Sequence, residues 1–195
     1  IIIILKYKNY IKNINLFKIS AVLALLLMLL GTIFSENIAN NIESKLYRDK
    51  IIIKEQTPYQ NIVVTKHKDD LRLFINGNIQ FSSSDEYRYH ESLVHVPMSV
   101  SKSKSKILIL GGGDGLAVRE VLKYEDVENI TLVDLDEDMV ELCRNNKNIV
   151  DINKGALTSS KLNVVYNDAF KYLQDSNDLF DVILIDLPDP NDENL

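Results

Sequence analysis

The sequence predicts an α/β fold built on a parallel sheet, and three observations carry that prediction. From Lys106 onward a strand–turn–helix pattern repeats three times. A fourth strand-like run closes the series, and the first run, KILIL, is continuously apolar before the glycine-rich turn GGGDG. The chain of 195 residues has room for one ordinary domain plus an appendage.

The appendage comes first. Between Lys18 and Glu36 lie 17 uncharged residues, ISAVLALLLMLLGTIFS. That is the short end of what spans a bilayer, and Lys18 can snorkel to lengthen it. A cleaved signal peptide is the rival reading, since lysines precede a short apolar core. No A-x-A pattern follows Phe34, and Ile1–Leu5 reads as the tail of an earlier apolar segment, so a transmembrane helix over about 16–35 is expected, within an anchor and linker covering 1–50. Lys6, Lys8, Lys12 and Lys18 before it, against Lys45, Arg48 and Lys50 after it, do not orient it.

Residues 51–104 read as a small β-hairpin domain plus a helix. IIIKEQ and NIVVTKH are short apolar runs, and LRLFI-NG-NIQF places Asn76-Gly77 between two more. A type I′ turn needs positive φ at both central positions, which Asn-Gly supplies. Ser83-x-x-Glu86 has the form of a capping box opening a helix over DEYRYHESLVHV.

Residues 105–195 hold the repeating pattern. KILIL, ITLVD, LNVVY and FDVILID are its strands; LAVREVLKY, EDMVELCR and AFKYL are its helices. The order describes a four-stranded parallel sheet of the doubly wound class. Cys143, beside Met139, Val140 and Leu142, is expected to be a small core residue.

Composition removes several functions. Residues 1–50 carry 7 Lys/Arg against 3 Asp/Glu, and the remainder 15 against 25, within an overall charge of −6. A surplus of carboxylates argues against nucleic acid, which demands a cationic footprint. It suits a cationic ligand, or merely a solvated acidic surface. The single cysteine excludes a disulfide framework and a Cys-rich zinc site, and His67, His90 and His95 lack the two-His helical metal spacing.

The chemistry gathers at two places. Gly111, Gly113 and Gly115 sit between a strand and a helix, where they permit a tight turn and close approach of a ligand. Asp134 ends the next strand, where a carboxylate can accept from both hydroxyls of a ribose. No Lys-Ser/Thr follows the glycines, and Asp114 within the loop would repel a pyrophosphate, so an uncharged or cationic adenosyl compound of the S-adenosylmethionine class is expected. At the end of the fourth strand Asp186 and Asp189 can face one pocket; an Asp-Pro-rich turn is the plainer reading of the same residues.

Taken in order, TPYQ (57–60), NGNIQF (76–81), DEYRYHE (85–91), GGGDG (111–115), VDLDEDMV (133–140), NDAF (167–170) and DLPDP (186–190) resemble the polyamine aminopropyltransferase, or spermidine synthase, family. The apolar front end is similar to its bacterial membrane-bound branch. The resemblance covers residues 51–195 and implies a Rossmann-like sheet of the class I methyltransferase type, incomplete at four strands with an edge left open, and aminopropyl transfer from decarboxylated S-adenosylmethionine to putrescine or a similar diamine. The donor is a co-substrate; neither a tightly bound cofactor nor a metal is implied.

The resemblance also implies roles. Gln80 contacts the donor, Asp114 holds its terminal ammonium, Asp134 takes its ribose, and Asp168 with Ala169 lies at its adenine. Gly111 and Gly113 shape the donor loop. Tyr89 and His90 line the acceptor's site, Asp186 is the catalytic base and Asp189 binds the diamine. On position alone Tyr89 and His90 are equally readable as core or surface. Ala169 stands where relatives have Gly, and NDENL after Pro190 lacks the Gly-Pro of soluble relatives. Polyamine chemistry is cytosolic, so a membrane location with the catalytic domain facing the cytoplasm is expected; a homodimer, as relatives form, stays open. Because the chain stops after its fourth parallel strand, the expectation is an apparently truncated form with weak donor binding and little or no turnover. An S-adenosylmethionine-dependent methyltransferase on the same fold and a non-catalytic membrane-anchored fragment are the alternatives.

Overall fold

The computed structural model describes residues 14–187. The chain divides into two units, one ending at Arg48 and one beginning at Asp49. The first contains α1, Ile14–Leu46, a helix of 33 residues and so about 50 Å long. Its segment Lys18–Ser35 has mean hydropathy 2.1, and no residue of it is buried. That is long and apolar enough to cross a bilayer core of ~30 Å. The helix runs eleven residues past the expected end at 35.

The second unit opens with an antiparallel sheet in simple order: β1 (Lys50–Gln56), β2 (Asn61–His67), β3 (Asp70–Ile75) and β4 (Asn78–Ser82). The β3–β4 turn takes the geometry its dipeptide predicts, with φ of +50° at Asn76 and +81° at Gly77. Ile62, Val64, Leu71, Leu73 and Phe81 turn one face of this sheet into core.

Helix α2 (Tyr87–Val100) begins without the capping box. Ser83 Oγ is diverted to β3, accepting from the Leu71 N–H at 2.9 Å, and Glu86 points into the protein rather than back along the helix. Both side chains make tertiary contacts that replace the local cap. The helix also continues through Pro97, past the expected end at Val96, because Met98 is buried in line with Val94. Packing here overrides the lost backbone bond.

The parallel sheet follows: β5 (Lys106–Gly111), α3 (Leu116–Val121), β6 (Asn129–Asp134), α4 (Glu137–Asn145), α5 (Lys147–Asn153), a 3₁₀ turn (Ala156–Thr158), β7 (Leu162–Tyr166), α6 (Ala169–Asp175) and β8 (Val182–Asp186). The strand order is β7-β6-β5-β8, all parallel. The central strand β5 is buried on both faces, as its unbroken apolar run requires. Strand β8 differs. Val182 and Leu184 are buried, whereas Ile183 and Ile185 are 50% and 60% exposed, so among the described residues one face of this strand is bare. Cys143 is fully buried, as expected. Helix α5 escaped prediction because its start, NNKN, reads as loop; Asn146 caps it by accepting from the Asn148 N–H at 3.0 Å.

Candidate active site

Three parallel strands deliver the site at their carboxyl ends. Strand β5 runs into the glycine loop, β6 ends in Asp134, and β8 ends in Asp186, which stands in register with Gly111. The register explains the loop's composition. Gly111 has φ of +77°, and a Cβ there would lie 2.2 Å from the Asp186 carbonyl oxygen. A Cβ at Gly113 would lie 2.7 Å from Asp134 Oδ2, the same oxygen that accepts from the Gly113 N–H at 2.9 Å. Asp134 Oδ1 accepts from Asp136 N–H at 2.9 Å, so two backbone bonds fix this carboxylate.

Helix α2 covers this edge. Glu86, His90, Val94 and Met98 form one buried stripe at four-residue spacing, so His90 faces inward. Tyr89 lies off the stripe with half its surface exposed, yet its hydroxyl donates to Asp186 Oδ1 at 2.8 Å. The Tyr89 and His90 rings meet edge to face, 5.0 Å apart. A ring nitrogen of His90 and one oxygen each from Asp114 and Asp186 all lie within 4.8 Å of one another. Asp114 as a residue keeps some exposure, but its carboxylate is enclosed; Oδ1 accepts from the Leu116 N–H at 2.9 Å.

These carboxyls hold their protons unusually well. Burial, opposed by His90 and reinforced by Asp186, pushes Asp114 up to about 6. Burial also raises Asp186, against the Tyr89 hydrogen bond and the nearby His90. Asp134 is raised by burial despite its two backbone bonds. Such a cluster attracts a cation, an ammonium group or a metal ion, because an opposite charge restores what burial removes.

Behind it stands an ion-pair array. Arg119, on α3, grips Glu86 through two nitrogens at 2.8 and 3.0 Å and reaches Glu120 at 2.9 Å. Glu120 is 1% exposed and also pairs with Lys123 and with His95. Burial works against its ionisation, yet Lys123 and Arg119 hold it below the ordinary carboxylate range. Two clefts, of about 510 and 440 Å³, are lined by Glu86 and Arg119 but by none of Tyr89, His90, Asp114 or Asp186. The carboxylates therefore lie at the sheet edge, outside both of these clefts.

Comparison with known proteins bears on this edge. The sequence profile described as the spermine/spermidine synthase domain matches residues 86–193, more than half of the chain. The chain belongs to that family. It is 52% identical to a polyamine aminopropyltransferase of Oceanobacillus iheyensis over 169 residues, which cover 87% of this chain and 33% of that protein. A polyamine aminopropyltransferase of Leptospira interrogans is 47% identical over 183 residues, covering 94% and 37%. The chain thus spans about a third of the length of the curated relatives it matches. Among solved structures, spermidine synthase from Thermotoga maritima superposes with a TM-score of 0.67 at 32% identity, over 73% of this chain and 48% of that one. A spermidine synthase in complex with the transition-state analogue AdoDATO gives 0.68 at 32% identity, over 72% and 47%.

The family residues named from sequence distribute unevenly. Tyr89, His90, Asp114, Asp134, Asp186 and the glycines converge at one edge. Gln80 is half-buried on β4, and its amide donates to the Asn78 carbonyl at 3.4 Å, a bond within its own strand. Asp168 caps α6, accepting from the Lys171 N–H at 2.8 Å. Ala169 packs beside Leu108, Leu110 and Val133. Asp189 lies outside the described residues. Sequence reading overlooked Glu86 as a buried partner of His90, although their four-residue spacing signalled a shared face. It also overlooked Thr57, whose hydroxyl donates to Asp136 Oδ2 at 2.7 Å and so braces the segment carrying Asp134.

Proposed function

We propose that the protein of which this chain forms part transfers an aminopropyl group from decarboxylated S-adenosylmethionine to putrescine or a similar diamine, giving spermidine and methylthioadenosine. The observation that carries this reading is the partly buried pair Asp114 and Asp186 beside Tyr89 and His90 at the glycine loop. A cationic donor and a cationic acceptor would repel each other in a pocket of low dielectric unless carboxylates lay between them.

The residue roles are those the family resemblance implies. The donor's ribose goes to Asp134, its ammonium to Asp114 and its adenine to Asp168 and Ala169, while Gln80 also contacts the donor. The acceptor arrives as a diammonium ion whose ordinary pKa is near that of lysine, about 10.4. Asp186 takes one proton, and burial increases its affinity for that proton. Tyr89 and His90 line the approach, and Asp189 binds the distal ammonium. The freed nitrogen attacks the aminopropyl carbon joined to the sulfonium. The N–C bond forms as the C–S bond breaks, and the electron pair leaves with sulfur as neutral methylthioadenosine. Alignment of the two reactants supplies much of the rate.

The same reading divides the chain into a membrane anchor over 1–50, a hairpin domain over 51–104 and an adenosyl-binding domain from 105. It places the anchor in the cell membrane with the catalytic domain on the cytoplasmic side. The test joins this chain to the C-terminal portion of the Oceanobacillus iheyensis relative and supplies both substrates. Spermidine formation, abolished by Asp186→Asn, is expected; methyl transfer from S-adenosylmethionine in its place would overturn the reading. Alkaline extraction of expressing cells, with the chain released from the membrane pellet, would overturn the anchor.

A further inference from the structure

Glu86 and Arg119 are used by nothing in the reaction as written, and their hydrogen bonds determine a proton position on His90. His90 Nδ1 lies 3.0 Å from the Glu86 carbonyl oxygen and 2.9 Å from Glu86 Oε2. A carbonyl oxygen only accepts. The Glu86 carboxylate is gripped by Arg119 through both of its oxygens, a bidentate arrangement that requires the ionised form. It too can only accept. Nδ1 must therefore be the donor, and Nε2 is the only ring nitrogen left to gain or lose a proton. Both His90 and Glu86 are nearly inaccessible, at 2% and 8% exposure, so water does not compete for these positions.

We propose that Glu86, held by Arg119, is the positioning residue that fixes His90 as its Nδ1–H form, so that Nε2, the nitrogen left over, is the one that serves the chemistry at Asp114 and Asp186, near which a ring nitrogen of His90 lies. The functional half of this rests on reading that edge as the acceptor's site. A neutral His90 offers Nε2 as a lone pair to an acceptor ammonium; a protonated one offers an N–H to the carboxylates. Either state is useful there, and the opposite tautomer would turn Nε2 into a permanent donor and leave Nδ1–Glu86 broken. The groups facing the ring are Glu86 from its own helix, Tyr89 beside it, Asp114 from the glycine loop and Asp186 from β8, with Arg119 behind Glu86.

The chain's three histidines make the proton position directly measurable. The purified full chain, labelled with ¹⁵N-histidine, is recorded at a pH well above the ordinary histidine range, with His90→Gln used to assign the signal. The wild type is expected to show His90 protonated at Nδ1 alone, and Glu86→Gln to show a mixture of both tautomers. Glu86→Asp, which keeps the charge beside Arg119 but withdraws it from Nδ1, reads the same change if the glutamine variant does not fold. A wild-type His90 protonated at Nε2 alone overturns the proposal, and so does an unchanged Nδ1–H signal in a folded Glu86 variant. These spectra do not depend on turnover. Failure of spermidine formation would sink the functional reading while leaving the tautomer result to stand or fall by itself.

Discussion

The Tyr89 hydroxyl donates to Asp186 Oδ1 at 2.8 Å, joining two residues 97 positions apart in sequence. The bond favours the ionised carboxylate, in opposition to the burial that raises Asp186. Tyr89→Phe removes the opposing influence, so the Asp186 pKa is expected to rise further. In the joined enzyme the acid limb of the kcat/KM profile moves to higher pH. A profile superimposable on that of the wild type would disconnect this hydrogen bond from the titrating base.

Asp114 provides a prediction on stability. Its folded pKa of about 6 lies above its ordinary value of 3.8, so between these pH values the folded state binds more protons than the unfolded one. This group's contribution is thus favourable at low pH, declines as pH rises through that window and is unfavourable by as much as a few kcal/mol at pH 7. Asp114→Asn keeps an acceptor for the Leu116 N–H and removes the titration. The variant is expected to melt above wild type at pH 7 and close to it near the lower end of the window. Thermal unfolding of both proteins across pH measures this, and an equal difference throughout would refute it.

Thr57→Val leaves Asp136 Oδ2 buried without its hydroxyl donor. An unsatisfied buried acceptor costs about 1–3 kcal/mol. Urea denaturation should show a loss of that size, with Thr57→Ser close to wild type. Binding of methylthioadenosine should weaken as well, because Asp136 and Asp134 are coupled through the Asp136 N–H.

Gly111→Ala meets two obstacles, a left-handed backbone and an atom 2.2 Å away in the neighbouring strand. Backbone strain and overpacking together predict destabilisation of at least about 2 kcal/mol. Denaturant midpoints compare it with Gly77→Ala, a position with similar φ of +81° but nothing within 4 Å of the added Cβ. The difference between the two isolates the contact with Asp186; equal losses would show that backbone conformation alone matters at Gly111.

Periodicity was enough for much of this architecture. A continuous apolar run suits burial on both faces, and KILIL, read as a strand from that run, proves to lie inside the sheet between β6 and β8. Asn76-Gly77 announced its turn because few other residues tolerate two successive positive φ values. Motif order was enough to gather Tyr89, His90, Asp114, Asp134 and Asp186 into one expected site. Local patterns misled where distant partners competed for the same side chains. Ser83 and Glu86 have the spacing of a helix cap, but β3 claims one and Arg119 with His90 claims the other. Helix α2 outlasted Pro97 because burial of Met98 outweighs one missing backbone bond.

By itself the sequence determined the strand–helix alternation, the acidic character of the site and the family to which its motifs point, since these depend on residue type and spacing along the chain. Only the tertiary structure decided that His90 is inward and Tyr89 half-exposed, that Gly111 is compelled by the Asp186 carbonyl, and that Nδ1 of His90 meets Glu86. Those facts depend on which atoms from separate segments meet. Hydrogen bonds and steric contacts act over about 3 Å, a distance at which spacing along the chain carries no information.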